Sequence, residues 1–125
     1  MAELSPWIAV VDDDPAVLKA LSRLLRSHAF RARTYGSGQE FLAALSTGLP
    51  DCLIVDFQMP EMNGLELQQH LASNGIKIPT ILITAYDDVA LRDQAGLVAS
   101  LRKPLQEKAL FDAIDKAVGD SRSAG

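Results

Sequence analysis

Apolar positions along this chain alternate between two spacings. Short continuous runs are separated by stretches in which apolar residues return every three or four positions. The runs Trp7-Ile8-Ala9-Val10-Val11, Cys52-Leu53-Ile54-Val55 and Thr80-Ile81-Leu82-Ile83 are apolar on both faces, as central strands of a parallel sheet are. Arg31-Ala32-Arg33-Thr34-Tyr35 alternates instead, which suits a less covered edge strand. A weaker run over Val98 to Leu101 predicts a fifth strand. Between them lie helical stripes. Asp14-Pro15 supplies an N-cap and a first-turn proline for a helix carrying Val17, Leu18, Leu21, Leu24 and Leu25. Ser37 with Glu40 reads as a capping box for a short helix with Phe41, Leu42 and Leu45. A third helix runs from about Gly64 to Ser73, with Leu67 and Leu71 inward, and Asn74-Gly75 stops it. A short fourth helix is expected from about Asp88 to Gln94, and a last one from Gln106 to Val118 with Leu110, Ile114, Ala117 and Val118 inward. Strand and helix alternate five times, and right-handed crossovers then place helices on both sides of one parallel sheet. The fold class is α/β.

The strand ends carry the chemistry. Asp12, Asp13 and Asp14 follow the first strand, Asp56 ends the third, Thr84 ends the fourth, and Lys103-Pro104 follows the fifth. In an open parallel sheet these C-terminal ends share one edge, where ligands collect. Carboxylates crowded without a cation disfavour each other's ionisation, and a hard divalent cation relieves this. Mg2+ asks for oxygen ligands: Asp13 and Asp56 offer one each, Asp12 holds a coordinated water, and the backbone carbonyl of Gln58 completes the set. Asp56, alone at the end of an apolar strand, is the candidate nucleophile for a phosphoryl group. Lys103 supplies a point charge, Thr84 a hydroxyl, and Ala85 a backbone N–H.

Composition narrows the alternatives. A length of 125 residues with 48% hydrophobic and 22% charged side chains describes a single globular domain rather than a disordered chain. The longest apolar run is far short of the ~20 residues a membrane span needs, and no signal peptide is visible, so the expected location is cytoplasmic. The lone Cys52, inside an apolar run, reads as reduced core. A net charge of −4 gives no support to direct nucleic-acid binding. The small basic groups, Arg23, Arg26 and His28, then Arg31 and Arg33, read as solvated surface. No His/Cys cluster competes for a softer metal: His28 and His70 both fall in predicted helices.

The motifs Val11-Asp12-Asp13-Asp14-Pro15, Asp56-Phe57-Gln58-Met59-Pro60-Glu61-Met62-Asn63-Gly64, Thr84-Ala85-Tyr86 and Lys103-Pro104 together resemble the receiver domains of bacterial two-component response regulators. The receivers of the nitrogen-fixation regulator type are the most similar. The resemblance spans about Trp7 to Val118 and implies a flavodoxin-like (βα)5 three-layer sandwich with a five-stranded parallel sheet in the order 2-1-3-4-5. It implies that Asp56 is the phosphoacceptor, Asp12 and Asp13 the acidic pair, Thr84 the switch hydroxyl and Lys103 the phosphate-binding lysine. It also implies a cis bond between Lys103 and Pro104. The expected function is magnesium-dependent phosphoryl transfer onto Asp56 from a histidine kinase or histidine phosphotransfer protein, altering partner interactions. Such a domain catalyses its own phosphorylation and dephosphorylation rather than turning over a substrate. Residues 1–119 form the domain, and 120–125 a flexible tail or linker start.

Two departures bear on output. Ser100 occupies the position where these receivers carry Tyr or Phe on the fifth strand, and Tyr86 is the nearby aromatic that covers the pocket mouth or substitutes. The interval from Thr84 to Lys103 is about three residues shorter than in these relatives, nearly one helical turn. Both speak against a tight dimer through the fourth helix and fifth strand, and they support an alternative reading as an interaction or decoy module with little phosphorylation-dependent output. Two enzyme patterns fail. A haloacid-dehalogenase-like hydrolase needs a second Asp where Gln58 stands. A dinucleotide fingerprint starting at Gly36-Ser37-Gly38 needs glycine where Phe41 stands.

Overall fold

The computed structural model of the protein describes residues 7–84, 97–103 and 105–123. Five parallel strands, β1 (Trp7–Val11), β2 (Arg31–Tyr35), β3 (Cys52–Asp56), β4 (Thr80–Thr84) and β5 (Leu97–Arg102), form one sheet in the order β2-β1-β3-β4-β5. The helices are α1 (Pro15–Ser27), α2 (Gly38–Ala44), α3 (Gly64–Ser73) and a C-terminal helix (Glu107–Ser123). This is the flavodoxin-like arrangement that the residue pattern and the resemblance imply. Ala85, Tyr86, the predicted helix 88–94 and Pro104 lie outside the described residues.

Alternation along the strands divides the core. Ile8, Val10, Ile54, Ile81 and Ile83 pack with α1 and the C-terminal helix through Leu21, Leu25, Leu110 and Ile114. Ala9, Val11, Leu53, Val55 and Leu82 pack with α2 and α3 through Phe41, Leu67 and Leu71. Every residue of β3 and β4 is buried, because both sheet faces are covered there. β2 and β5 are the edges of this sheet, and β2 keeps three of its five residues exposed.

Local signals set most element ends. The Asp14 side chain accepts from the Ala16 N–H ahead of Pro15. Asn74 caps α3, and Gly75 follows at φ 72°, in the left-handed region. Three details differ from the residue pattern. Ser37 Oγ accepts from the Glu40 N–H, but the Glu40 carboxylate accepts from Gly36, one residue before the cap, so the reciprocal box does not close. The full box sits at Asn63 and Glu66, which exchange hydrogen bonds of 2.8 and 2.9 Å. The last helix runs on to Ser123, five residues beyond Val118, since Gly119 and the serines weaken a helix without ending it. His28 caps the end of α1 rather than lying within it, its ring stacked on Phe111 at 3.8 Å.

Candidate functional site

Strand register brings the predicted residues to one edge. Val11 pairs with Val55, so Asp12 and Asp56 leave neighbouring strands side by side. Asp56 pairs with Ile83, and Thr84 with Arg102, so Thr84 and Lys103 emerge on the other flank. The Lys103 N–H donates to the Thr84 carbonyl at 2.9 Å, which ties the strand end carrying the ammonium to the one carrying the hydroxyl.

The three consecutive acids do different work. Asp12 is buried, and its Oδ1 accepts from the Asp14 N–H at 2.9 Å. Asp13 is exposed, and Asp14 is the cap of α1. One oxygen from each of Asp12, Asp13 and Asp56 lies within 4.8 Å of the others. The Asp12 carboxyl is pushed up to about 6, chiefly by burial away from water. The Asp14 N–H opposes this, the Asp56 charge adds to it, and Lys103 and Asp13 act more weakly in opposite senses. A cluster of hard carboxylate oxygens with one member this reluctant to ionise fits a hard divalent cation, whose charge restores the ionised form.

Asp56 is buried as well, and the Lys103 ammonium lies 3.2 Å from its Oδ1 while remaining partly open to water. Thr84 is buried at the end of β4. Gln58 is exposed in the loop between β3 and α3, two residues past Asp56, and contributes to a surface depression with Phe57, Met59, Pro60 and Asn63. The structure thus brings Asp12, Asp13, Asp56 and Lys103 into contact range and sets Thr84 on the same edge. Ala85 lies outside the described residues.

Two supports of the site rest on contacts that the residue pattern does not show. A Cβ placed on Gly64 would lie 2.7 Å from both the Asp56 carbonyl oxygen and Leu82 Cδ1, so only glycine lets α3 start this close to the end of β3. The motif marked this glycine without showing what crowds it. The loop also turns through Glu61 at φ 69°, with the Met62 N–H donating to the Pro60 carbonyl at 2.7 Å, a tight reversal unusual for a residue with a side chain. Met62 then packs on Gly38, where an added Cβ would meet its sulfur at 2.9 Å. No local sequence signal announces either the turn or the contact.

The response regulator receiver domain family matches residues 8–115. This chain is a receiver domain. It is 40% identical over 114 residues to the response regulator protein TmoT of Ectopseudomonas mendocina, covering 89% of this chain and 52% of that one. To the transcriptional regulatory protein FixJ of Rhizobium meliloti it is 33% identical over 113 residues, covering 88% and 55%. The receiver therefore spans about half the length of these relatives. Among solved structures, a response regulator receiver protein from Burkholderia phymatum superposes with a TM-score of 0.79 at 45% identity, covering 92% of this chain and 96% of that one. The FixJ N-terminal structure gives 0.82 at 31% identity, covering 95% and 96%. Receivers are the phosphoaccepting signalling domains of two-component systems, and the family generally binds Mg2+ and meets histidine kinases or phosphotransfer proteins. No helix among the described residues is long and apolar enough to cross a membrane.

Proposed function

We propose that Asp56 is the residue of this receiver that takes the phosphoryl group, with Mg2+ held by Asp12, Asp13, Asp56 and the Gln58 carbonyl. The observation that carries the reading is the environment of Asp56. It is a buried carboxylate at the end of a fully buried strand, 3.2 Å from the Lys103 ammonium and beside two further carboxylates. The phosphodonor is a phosphohistidine of a kinase or phosphotransfer protein. Asp56 Oδ attacks phosphorus, the P–N bond breaks as the P–O bond forms, and the imidazole leaves with its electron pair and takes up a proton. Bound Mg2+ supplies charge neutralisation on the phosphoryl oxygens. Lys103 is placed to follow the negative charge from the carboxylate to the phosphoryl oxygen. The Thr84 hydroxyl and Ala85 N–H donate to the remaining oxygens.

Residues 1–119 then act as the signalling unit, with residues 120–125 a tail or the start of a linker. The kinase docks at the N-terminal end of α1, near Pro15 and Leu18, which lie beside the acidic cluster. The cytoplasm, where ATP-dependent kinases work, is the compartment this chemistry calls for. The test is phosphate incorporation into wild type and Asp56→Asn, with and without Mg2+. Wild type labels only with Mg2+ and the variant does not; labelling of the variant at the wild-type rate and stoichiometry assigns the acceptor elsewhere.

A further inference from the structure

The charge of this receiver is divided along the chain. Residues 15–39 hold five basic side chains and no acidic one, whereas the other hundred residues hold seven basic and sixteen acidic, leaving +5 against −9. The five are Lys19, Arg23, Arg26, Arg31 and Arg33, all exposed. Lys19, Arg23 and Arg26 recur at four- and three-residue spacing and so share one face of α1. Every Lys, Arg, Asp or Glu within this segment is basic, while other segments bring the Asp51 carboxylate to the Trp7 N–H at 2.9 Å and the Glu107 carboxylate to His28 at 3.5 Å.

The stripe leads to a shaped place at the edge of the sheet. Ala32 packs inward with α1, so Arg31 and Arg33 stand on the opposite face of β2. The Arg33 guanidinium lies 5.1 Å over the Trp7 ring, which orients its donors. Arg26 rounds the edge and donates to the Ala32 carbonyl at 3.3 Å. Trp7, Phe30, Arg26, Arg31 and Arg33 line a depression of about 410 Å³. It lies at the N-terminal end of the strands. The run of β1 from Trp7 to Asp12 puts it roughly 16 Å from the acidic cluster, about two screening lengths at physiological salt.

We infer that this α1–β2 face is a docking surface for an acidic protein segment, with carboxylates paired to Arg26, Arg33 and the α1 stripe and an apolar side chain seated on Trp7 and Phe30. Fixed guanidinium groups beside an aromatic floor suit bidentate carboxylate recognition around an apolar anchor. The rest of the chain carries a net charge of −9, which disfavours a long polyanion such as duplex DNA over a short acidic segment. The face is separate from the Asp56 edge, so its partner binds whether or not Asp56 is phosphorylated.

The probe is a synthetic peptide of glutamates flanking one leucine, titrated into the 15N-labelled receiver at physiological salt. Amide shifts should concentrate in residues 19–33 and persist in Asp56→Asn. Arg26→Glu/Arg33→Glu should weaken binding at least tenfold while still incorporating phosphate, which shows that it folds. Lys77→Glu/Lys116→Glu, with the same change in net charge, should bind within twofold of wild type. Equal weakening in both double variants, shifts spread over the surface, or shifts produced only by duplex DNA or anionic vesicles would overturn the inference.

Discussion

The Lys103 ammonium lies 3.2 Å from Asp56 Oδ1, so the residue that would hold a phosphoryl oxygen already neutralises the carboxylate that would carry it. Solvent screens the ammonium, which is partly exposed, but the carboxylate it neutralises is buried. Lys103→Ala should cost about 1–2 kcal/mol of stability. Phosphate incorporation should fall about 100-fold, the usual loss for one preorganised charge or donor. Chemical denaturation beside a labelling time course separates the two effects. A large loss of stability with unchanged labelling would make Lys103 structural.

Asp12 should make the receiver's stability depend on pH and on Mg2+ together. Its folded value, about 6, lies above the ordinary 3.8, so the folded protein holds this proton more tightly than the unfolded chain does. The associated stability is fully present below about pH 4 and is lost as pH rises through about 6, on the order of 3 kcal/mol in all. Mg2+ should restore it above pH 6. Asp12→Asn keeps an oxygen for the Asp14 N–H and removes the charge. It should stabilise the metal-free protein by about 2 kcal/mol at pH 7.5 and reduce the gain on adding Mg2+. Urea midpoints from pH 4 to 8, with chelator and with Mg2+, check both statements.

Glycines in two helices should respond oppositely to alanine. At Gly64 the new methyl meets the Asp56 backbone oxygen, which cannot move without moving the acceptor, so Gly64→Ala should cost about 2 kcal/mol and slow phosphorylation. A Cβ added at Gly119 would meet no atom within 4 Å outside its own turn of helix, and Gly119→Ala should gain roughly 0.5 kcal/mol through helix propensity. Thermal or urea unfolding of the pair decides it.

Phosphorylation should not produce a tight dimer through β5. Ser100, paired with Leu82 of β4, offers no ring to an interface, and stable interfaces usually bury more than ~1,000 Å². Sedimentation with Mg2+ and a stable phosphoryl mimic should show no tight dimer through this surface. A tight dimer abolished by substitutions at Val89 to Arg92 would contradict this.

The division between residue pattern and structure follows the range of the forces involved. Strand runs, the edge character of β2, the caps at Asp14 and Asn74, and the arrival of Asp12, Asp56, Thr84 and Lys103 at one edge were legible in the sequence. Each depends on periodicity or capping within about ten residues, and parallel topology then aligns the strand ends. That Asp12 is buried and Asp13 exposed was not legible, because neighbouring carboxylates differ only in what surrounds them after folding. Nor was the choice of Glu40 for Gly36 over Ser37, since both N–H groups are within its local reach. The crowding at Gly64, the seat of Met62 on Gly38 and the placing of Arg33 over Trp7 join segments that are distant in sequence or lie on different strands. The residue pattern by itself determined the strands, their covered faces and which polar residues reach one edge, while the strand order was what the resemblance implied. Only the tertiary structure decided which atoms share a space, because packing distances arise from register and helix placement that no single segment encodes.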